Sequence, residues 1–128
     1  MASNASPSAT KRPSPRGGPR LPPATADPKI VGELNDNYIK LAKIQGEFVW
    51  HHHDTEDELF LVVKGRLLMQ LRDGDRWVEE GEFIIIPRGV EHRPVAENEC
   101  HILLLEPKTT LNTGNVQDEH TKADLPWV

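Results

Sequence analysis

The sequence predicts an all-β domain, a barrel or sandwich of short antiparallel strands. No apolar stretch of useful length repeats at helical spacing between residues 29 and 108. Short runs rich in β-branched and aliphatic residues recur there instead, each bounded by Gly, Pro, Asp or Asn. The runs at 61–63, 83–86 and 102–105 are apolar at every position, so both faces of those strands need cover. Many short strands with frequent turns fit a closed or double-layered β architecture.

The elements follow in order. Residues 38–44 form a strand after the turn-like Asn35-Asp36-Asn37. Residues 47–53 form a strand that carries His51, His52 and His53, and residues 54–57 are a polar turn. Residues 58–64 form a strand closed by Gly65. Residues 67–72 pair across Asp73-Gly74-Asp75 with the short strand at Trp77 and Val78, a hairpin signal. Residues 79–82 turn the chain. Residues 83–86 form a strand ending at Pro87, which has no N–H to continue a ladder. Residues 88–90 turn again, and strands at 91–96 and 100–105 complete the set. Gly65, Gly81 and Gly89 supply turn geometry rather than chemistry.

Composition divides the chain into three parts. Residues 1–28 are rich in Pro, Ser, Ala and Gly, with Leu21 the one large aliphatic residue. Such a segment cannot bury enough apolar surface to offset its ordering entropy, and it reads as a disordered arm. Residues 29–112 form the domain and 113–128 a tail. The net charge of −5 is uneven: Lys11, Arg12, Arg16 and Arg20 against Asp27 give the arm +3 and leave −8 on the remainder. An acidic domain argues against nucleic acid as a partner. The absence of a long apolar run argues against a membrane span. The single cysteine, Cys100, can form no intrachain disulfide, which fits a reducing cytoplasm.

Strand side chains alternate faces, so in an extended 47–53 His51 and His53 point one way and His52 the other. Two imidazoles on one face, a carboxylate past a turn and a further imidazole far along the chain make a set able to hold a metal ion. Imidazole suits Zn, Cu, Fe and Ni, and a carboxylate adds affinity for harder ions such as Mn. Val49 shares the parity of His51, and Phe60 and Val62 that of Glu58. All three are expected to line an apolar substrate pocket beside the metal. Phe48 and Trp50 share the parity of His52 and are expected outside, near a subunit interface. Gln70, Arg72 and Arg93 have no register that the sequence determines. No Lys or Arg cluster stands at a position that alternation places in the pocket. His101 and His120 belong to no motif.

The spacing of these residues resembles the cupin superfamily. Its first motif runs Gly, five residues, His-x-His, three or four residues, Glu, six residues, Gly. This chain has His51-x-His53, four residues, Glu58, six residues, Gly65. Its second motif runs Gly, five residues, Pro-x-Gly, two residues, His, three residues, Asn. This chain has Gly81, five residues, Pro87-x-Gly89, two residues, His92. Gly46 stands one residue closer to His51 than the motif requires, and Ala96 replaces the final Asn. The resemblance implies a double-stranded β-helix, or jelly-roll, barrel. It implies one divalent transition metal ion (Fe, Mn, Ni, Zn, Co or Cu) on His51, His53, Glu58 and His92.

Cupins include dioxygenases, isomerases, epimerases, lyases, storage proteins and sensors, so the fold does not select a reaction. The four-ligand set leaves coordination positions open. It implies a metal-dependent enzyme for a small organic molecule, dioxygenase-like in preference to isomerase or lyase, with Glu58 able to shift off the metal and take a proton. The alternative is a non-enzymatic small-ligand-binding cupin. A homodimer is expected, because a barrel interior covers only one face of the doubly apolar strands.

Overall fold

A computed structural model describes residues 10–11, 24–115 and 125–127. The described residues contain nine strands and no helix: β1 Thr10–Lys11, β2 Thr25–Ala26, β3 Lys29–Leu34, β4 Asn37–Glu47, β5 Glu58–Lys64, β6 Leu67–Leu71, β7 Gly74–Val78, β8 Phe83–Ile86 and β9 His92–Pro107. Every ladder between them is antiparallel. The strand order is β1-β7-β6-β9-β4-β2, with β3 added to β4 and β5 bridging β9 and β8. This is the expected all-β jelly-roll fold.

The architecture turns on β9. Residues 91–96 and 100–105, read as separate strands, are joined in one strand of 16 residues. Its first part pairs with β6 (Leu68↔Val95 to Leu71↔His92) and its second with β5 (Leu59↔Leu105 to Lys64↔His101). β4 follows it along its length, with a shift of register between Ile44 and Gly46. Gly46 has φ 101°, a backbone conformation that a side chain would strain, and there the strand bends. One long strand thus serves both halves of the barrel and curls them around a common interior.

Strand alternation places the core. Phe60, Val62, Met69, Ile84, Ile86 and Ile102 point inward and are buried together with Leu67, Leu71 and Val78. Their neighbours point outward. Cross-strand register aligns Leu41, Leu103, Leu61 and Phe83 in one row, and Ile39, Leu105, Leu59 and Ile85 in the next. Leu41 and Ile85 are exposed, the rest half-buried. A second cluster, Leu68, Trp77 and Val95, lies on the outward side of β6 and β7, with the Arg66 guanidinium 3.8 Å from the centre of the Trp77 ring.

The chain differs from its sequence reading in three further places. β3 was not anticipated; it forms a hairpin with β4 through Asn35, whose φ of 53° asparagine tolerates better than most residues. Residues 47–53 are not a strand beyond Glu47. The end of the 1–28 segment is also ordered against the barrel: β2 pairs with Ile44 and Gln45 of β4, and the Ala24 N–H donates to the Glu47 carbonyl at 2.7 Å. Apart from Thr10–Lys11, the preceding part of that segment lies outside the described residues. Within the tail, Trp127 bridges Ile30, sets its ring edge-on to Tyr38 at 5.7 Å, and follows Pro126, whose carbonyl accepts from the Ile30 N–H at 2.9 Å. Residues 116–124 and 128 lie outside the described residues.

Candidate metal centre

His92 opens β9, and Glu58 opens β5 opposite Ile86 of β8. His51 and His53 lie on the irregular segment between β4 and β5. His51 is tied to His92 by a reciprocal pair of backbone hydrogen bonds, His51 N–H to the His92 carbonyl at 3.0 Å and His92 N–H to the His51 carbonyl at 2.9 Å. The His53 carbonyl accepts from the Gly89 N–H at 2.7 Å, and Asp57 Oδ1 accepts from the Arg88 N–H at 2.8 Å. The turn at 87–90 thus clamps both ends of the 53–57 segment. From the other side, the Asn115 N–H donates to the His52 carbonyl at 3.0 Å, and Asn115 Oδ1 accepts from the His52 N–H at 2.9 Å. Gly114, at φ 55°, lies so close that a Cβ there would overlap the His52 carbonyl oxygen and come within 3.1 Å of the His51 ring.

These ties bring one ligating atom from each of His51, His53, Glu58 and His92 within 4.8 Å of one another, and all four residues are buried. His51 Nδ1–H donates to the Val49 carbonyl and His92 Nδ1–H to the Val90 carbonyl, each at 2.9 Å. A proton on Nδ1 leaves the Nε2 lone pair free to bind a cation. Glu58 Oε1 lies 2.8 Å from His53 Nε2 and 3.3 Å from His92 Nε2. None of these three atoms has a hydrogen-bond partner. Buried, unsatisfied and convergent, they form a donor set that fits a divalent transition ion.

The electrostatics agree. Burial, with repulsion from His92, lowers the His51 pKa to about 4, so at neutral pH Nε2 carries no proton for a metal to displace. Burial alone would raise the Glu58 carboxyl, but contacts with Glu106, His53 and His92 outweigh it and hold the group well below its usual range. Burial raises Glu106 well above its usual range, helped by the charge of Glu58 and opposed by Lys40.

His52 turns away from the centre as expected, its Nε2 2.8 Å from Asp54 Oδ1, although the segment is not a strand. His101 pairs with Glu99 on the surface, and His120 lies outside the described residues.

The pocket residues are distributed differently from expectation. A cavity of about 70 Å³ adjoins His51 and Glu58, and Phe60 lines it as anticipated. Val62 instead packs in the core. Val49 is not on the cavity wall; it serves through its carbonyl. Phe48, expected outside, lines the cavity and sets its ring edge-on to His51 at 5.4 Å. The cause is a bulge. Phe48 N–H donates to the Pro94 carbonyl, and the next pairing is His51 with His92, so three steps on one side oppose two on the other. One extra residue reverses the parity of everything before it. Trp50 does face away from the cavity, with the Arg72 guanidinium 3.7 Å above its ring.

Lys40 and Glu106 were missed. Both are buried, both line the cavity, and Lys40 Nζ donates to Glu106 Oε1 at 2.6 Å. The signal was available, since Lys40 shares the parity of Ala42 and Ile44, and Glu106 that of Ile102 and Leu104.

Comparison with known proteins agrees with this geometry. A family model described as the cupin domain matches residues 38–106. A crystal structure of a cupin-2 domain containing protein from Shewanella frigidimarina is 46% identical, with a TM-score of 0.62 over 63% of this chain and 79% of that one. The uncharacterized protein YdbB of Bacillus subtilis is 41% identical over 64 residues, 49% of this chain and 57% of the relative. The acireductone dioxygenase of Phaeosphaeria nodorum is 28% identical over 107 residues, 75% of this chain and 58% of the relative. The chain thus spans somewhat over half the length of the curated relatives it matches. The family match covers more than half of the present sequence, and on that ground the chain belongs to the cupin family.

Proposed function

We propose that this protein is a metal-dependent cupin enzyme that holds a small organic molecule at His51, His53, Glu58 and His92 and acts on it in a dioxygenase-like reaction. The observation that carries the reading is the convergence of four buried ligands, two with their tautomer set by backbone carbonyls and two, His51 and Glu58, on the wall of an apolar cavity. The likeness to an acireductone dioxygenase supports the choice of reaction over isomerisation or lysis. A divalent ion there supplies a Lewis acid and, if it is iron, a means of activating oxygen. The chain's own residues supply the rest. Phe48 and Phe60 exclude water from the wall beside His51 and Glu58. In this reading the Glu58 carboxylate shifts off the metal and takes a proton from a hydroxyl of a chelating enediol, β-diketone or hydroxy acid. Oxygen consumption by the iron-loaded protein over a panel of such compounds tests the reading. Consumption above that of His92→Ala supports it, and none with any member overturns it.

We infer further that the protein is a homodimer and that the outward rows on β4, β9, β5 and β8 form its interface. Eight apolar side chains in adjoining rows make a patch that monomers rarely leave to water. Trp50 and Phe48, the expected interface residues, lie elsewhere. Light scattering at micromolar concentration is expected to return twice the chain mass, and Leu103→Lys to return the single mass. A monomer before mutation overturns this.

A further inference from the structure

Lys40 is an ammonium buried among apolar groups. It is 4% exposed and lines a cavity whose other walls include Ala42, Ile44, Phe60 and Ile102. An ammonium carries three donors. The side chain makes one hydrogen bond, to Glu106 Oε1, which leaves two N–H groups unspent in a water-poor space. Leaving buried donors unmet is costly, and the cavity is where an acceptor can stand. Glu106 meets one of the three donors through Oε1, and its Oε2 takes no hydrogen bond. Its interaction with Lys40 keeps the ammonium at the cavity wall rather than free to reach outward.

The charge count points the same way. With Lys40, Glu58, Glu106 and a divalent ion in place, the formal charges leave the cavity positive by one. An anion restores balance and a neutral molecule does not. Size narrows the choice further. A space of about 70 Å³ is well below the ~150 Å³ of an apolar cavity that admits benzene, so its enclosed part suits a short aliphatic chain.

We propose that Lys40, positioned by Glu106, is the specificity-determining residue of the cavity and selects a small aliphatic carboxylate or enolate over its neutral counterpart. The inference rests on the metal-centre reading and names the substrate class for it. Lys40 donates to the oxygen anion, the ligand's remaining oxygen donors face His51 and Glu58, and its carbon chain lies against Phe60 and Ile102.

The test compares two four-carbon probes, 2-oxobutyrate and butane-2,3-dione. Calorimetry on the zinc-loaded full chain measures both affinities without redox chemistry. The dioxygenase reading is judged separately by oxygen uptake, so either can fail alone. The unmodified protein is expected to bind the oxo acid at least tenfold more tightly than the dione. Lys40→Met is expected to abolish that preference by weakening the oxo acid alone, with zinc content unchanged by elemental analysis. Should the single variant not fold, Lys40→Met with Glu106→Gln leaves no charge buried alone and is expected to give the same result. Equal affinity for both probes before mutation, binding of neither, or a variant that keeps the preference overturns the proposal. So does loss of zinc from the variant, because Lys40 then serves the metal centre rather than the ligand.

Discussion

The two sides of the metal centre are built on different principles. His92 and Glu58 open regular strands, and ladders on β4, β6, β8 and β9 fix their directions. His51 and His53 belong to no strand. They are held by individual bonds from three neighbours: His92 across the bulge, Gly89 in the 87–90 turn and Asn115 in the loop that follows β9. A ladder distributes orientation over many bonds, whereas a clamped loop concentrates it in a few. The histidine run is therefore the side of the centre where one remote change should do most damage.

Gly114→Ala is the sharpest way to break this contrast. The added Cβ overlaps the His52 carbonyl, a backbone atom that cannot swing aside, and φ at 55° adds strain. We expect loss of most of the bound metal, read by elemental analysis. Gly81→Ala serves as the comparison, since it has a positive φ of 79° but open space around its Cβ. It should cost about 1–2 kcal/mol of stability and leave the metal in place. Equal metal content in the two variants would show that the loop does not clamp the histidine run.

Removing ligands is expected to be nearly as severe. His51→Ala or His92→Ala should weaken metal binding by more than the ~10–100-fold typical of losing an outer partner. His52→Ala should change it little, because that ring faces Asp54. A metal titration that ranks His52 with the others would reverse the register argued for the run.

Asn115→Ala should have a smaller effect. It removes one acceptor from the His52 N–H, worth about 1 kcal/mol, while the backbone bond from Asn115 persists. A modest fall in melting temperature, with metal affinity reduced a few-fold, is the expected result. No change in either quantity would place the clamp in the backbone alone.

The mildest probe is pH. In the metal-free protein burial lowers the His51 pKa to about 4, against 6.5 for a free imidazole. Between those values the unfolded chain accepts a proton that the folded chain refuses. This group's contribution to stability is therefore intact above about pH 6.5 and falls on acidification by up to about 1.4 kcal/mol per pH unit until about pH 4. Denaturant titrations across that range should show the slope, and His51→Gln should flatten it. A slope unchanged by that substitution would assign the acid sensitivity to other groups.

The same contrast explains what the sequence could disclose. In the regular strand β5, alternation put Phe60 on the cavity side beside Glu58, whereas Val62, two residues further along, went into the core. The convergence of His51, His53, Glu58 and His92 was legible because motif spacing encodes it independently of local backbone shape. Phe48 and Val49 were misplaced because alternation was carried through a bulge that leaves no composition signature. Gly114 and Asn115 were invisible as clamps, since nothing in a chain 63 residues downstream of His52 marks where it will return. Lys40 and Glu106 lay within reach of alternation. They were overlooked because a lysine in a strand is ordinarily a solvated one, and only the partner across the β4–β9 ladder makes its burial tolerable.

The acceptors that orient His51 and His92 are the carbonyls of Val49 and Val90, which every amino acid possesses. No codon change at 49 or 90 can delete them. In many metal centres an outer carboxylate does this work, and one substitution removes it. Here the orientation is inherited with the path of the main chain. The side chains at those two positions are thereby released to vary, and mutational scanning at Val49 and Val90 should meet tolerance on the very doorstep of the metal, bounded only by the space each side chain must fill.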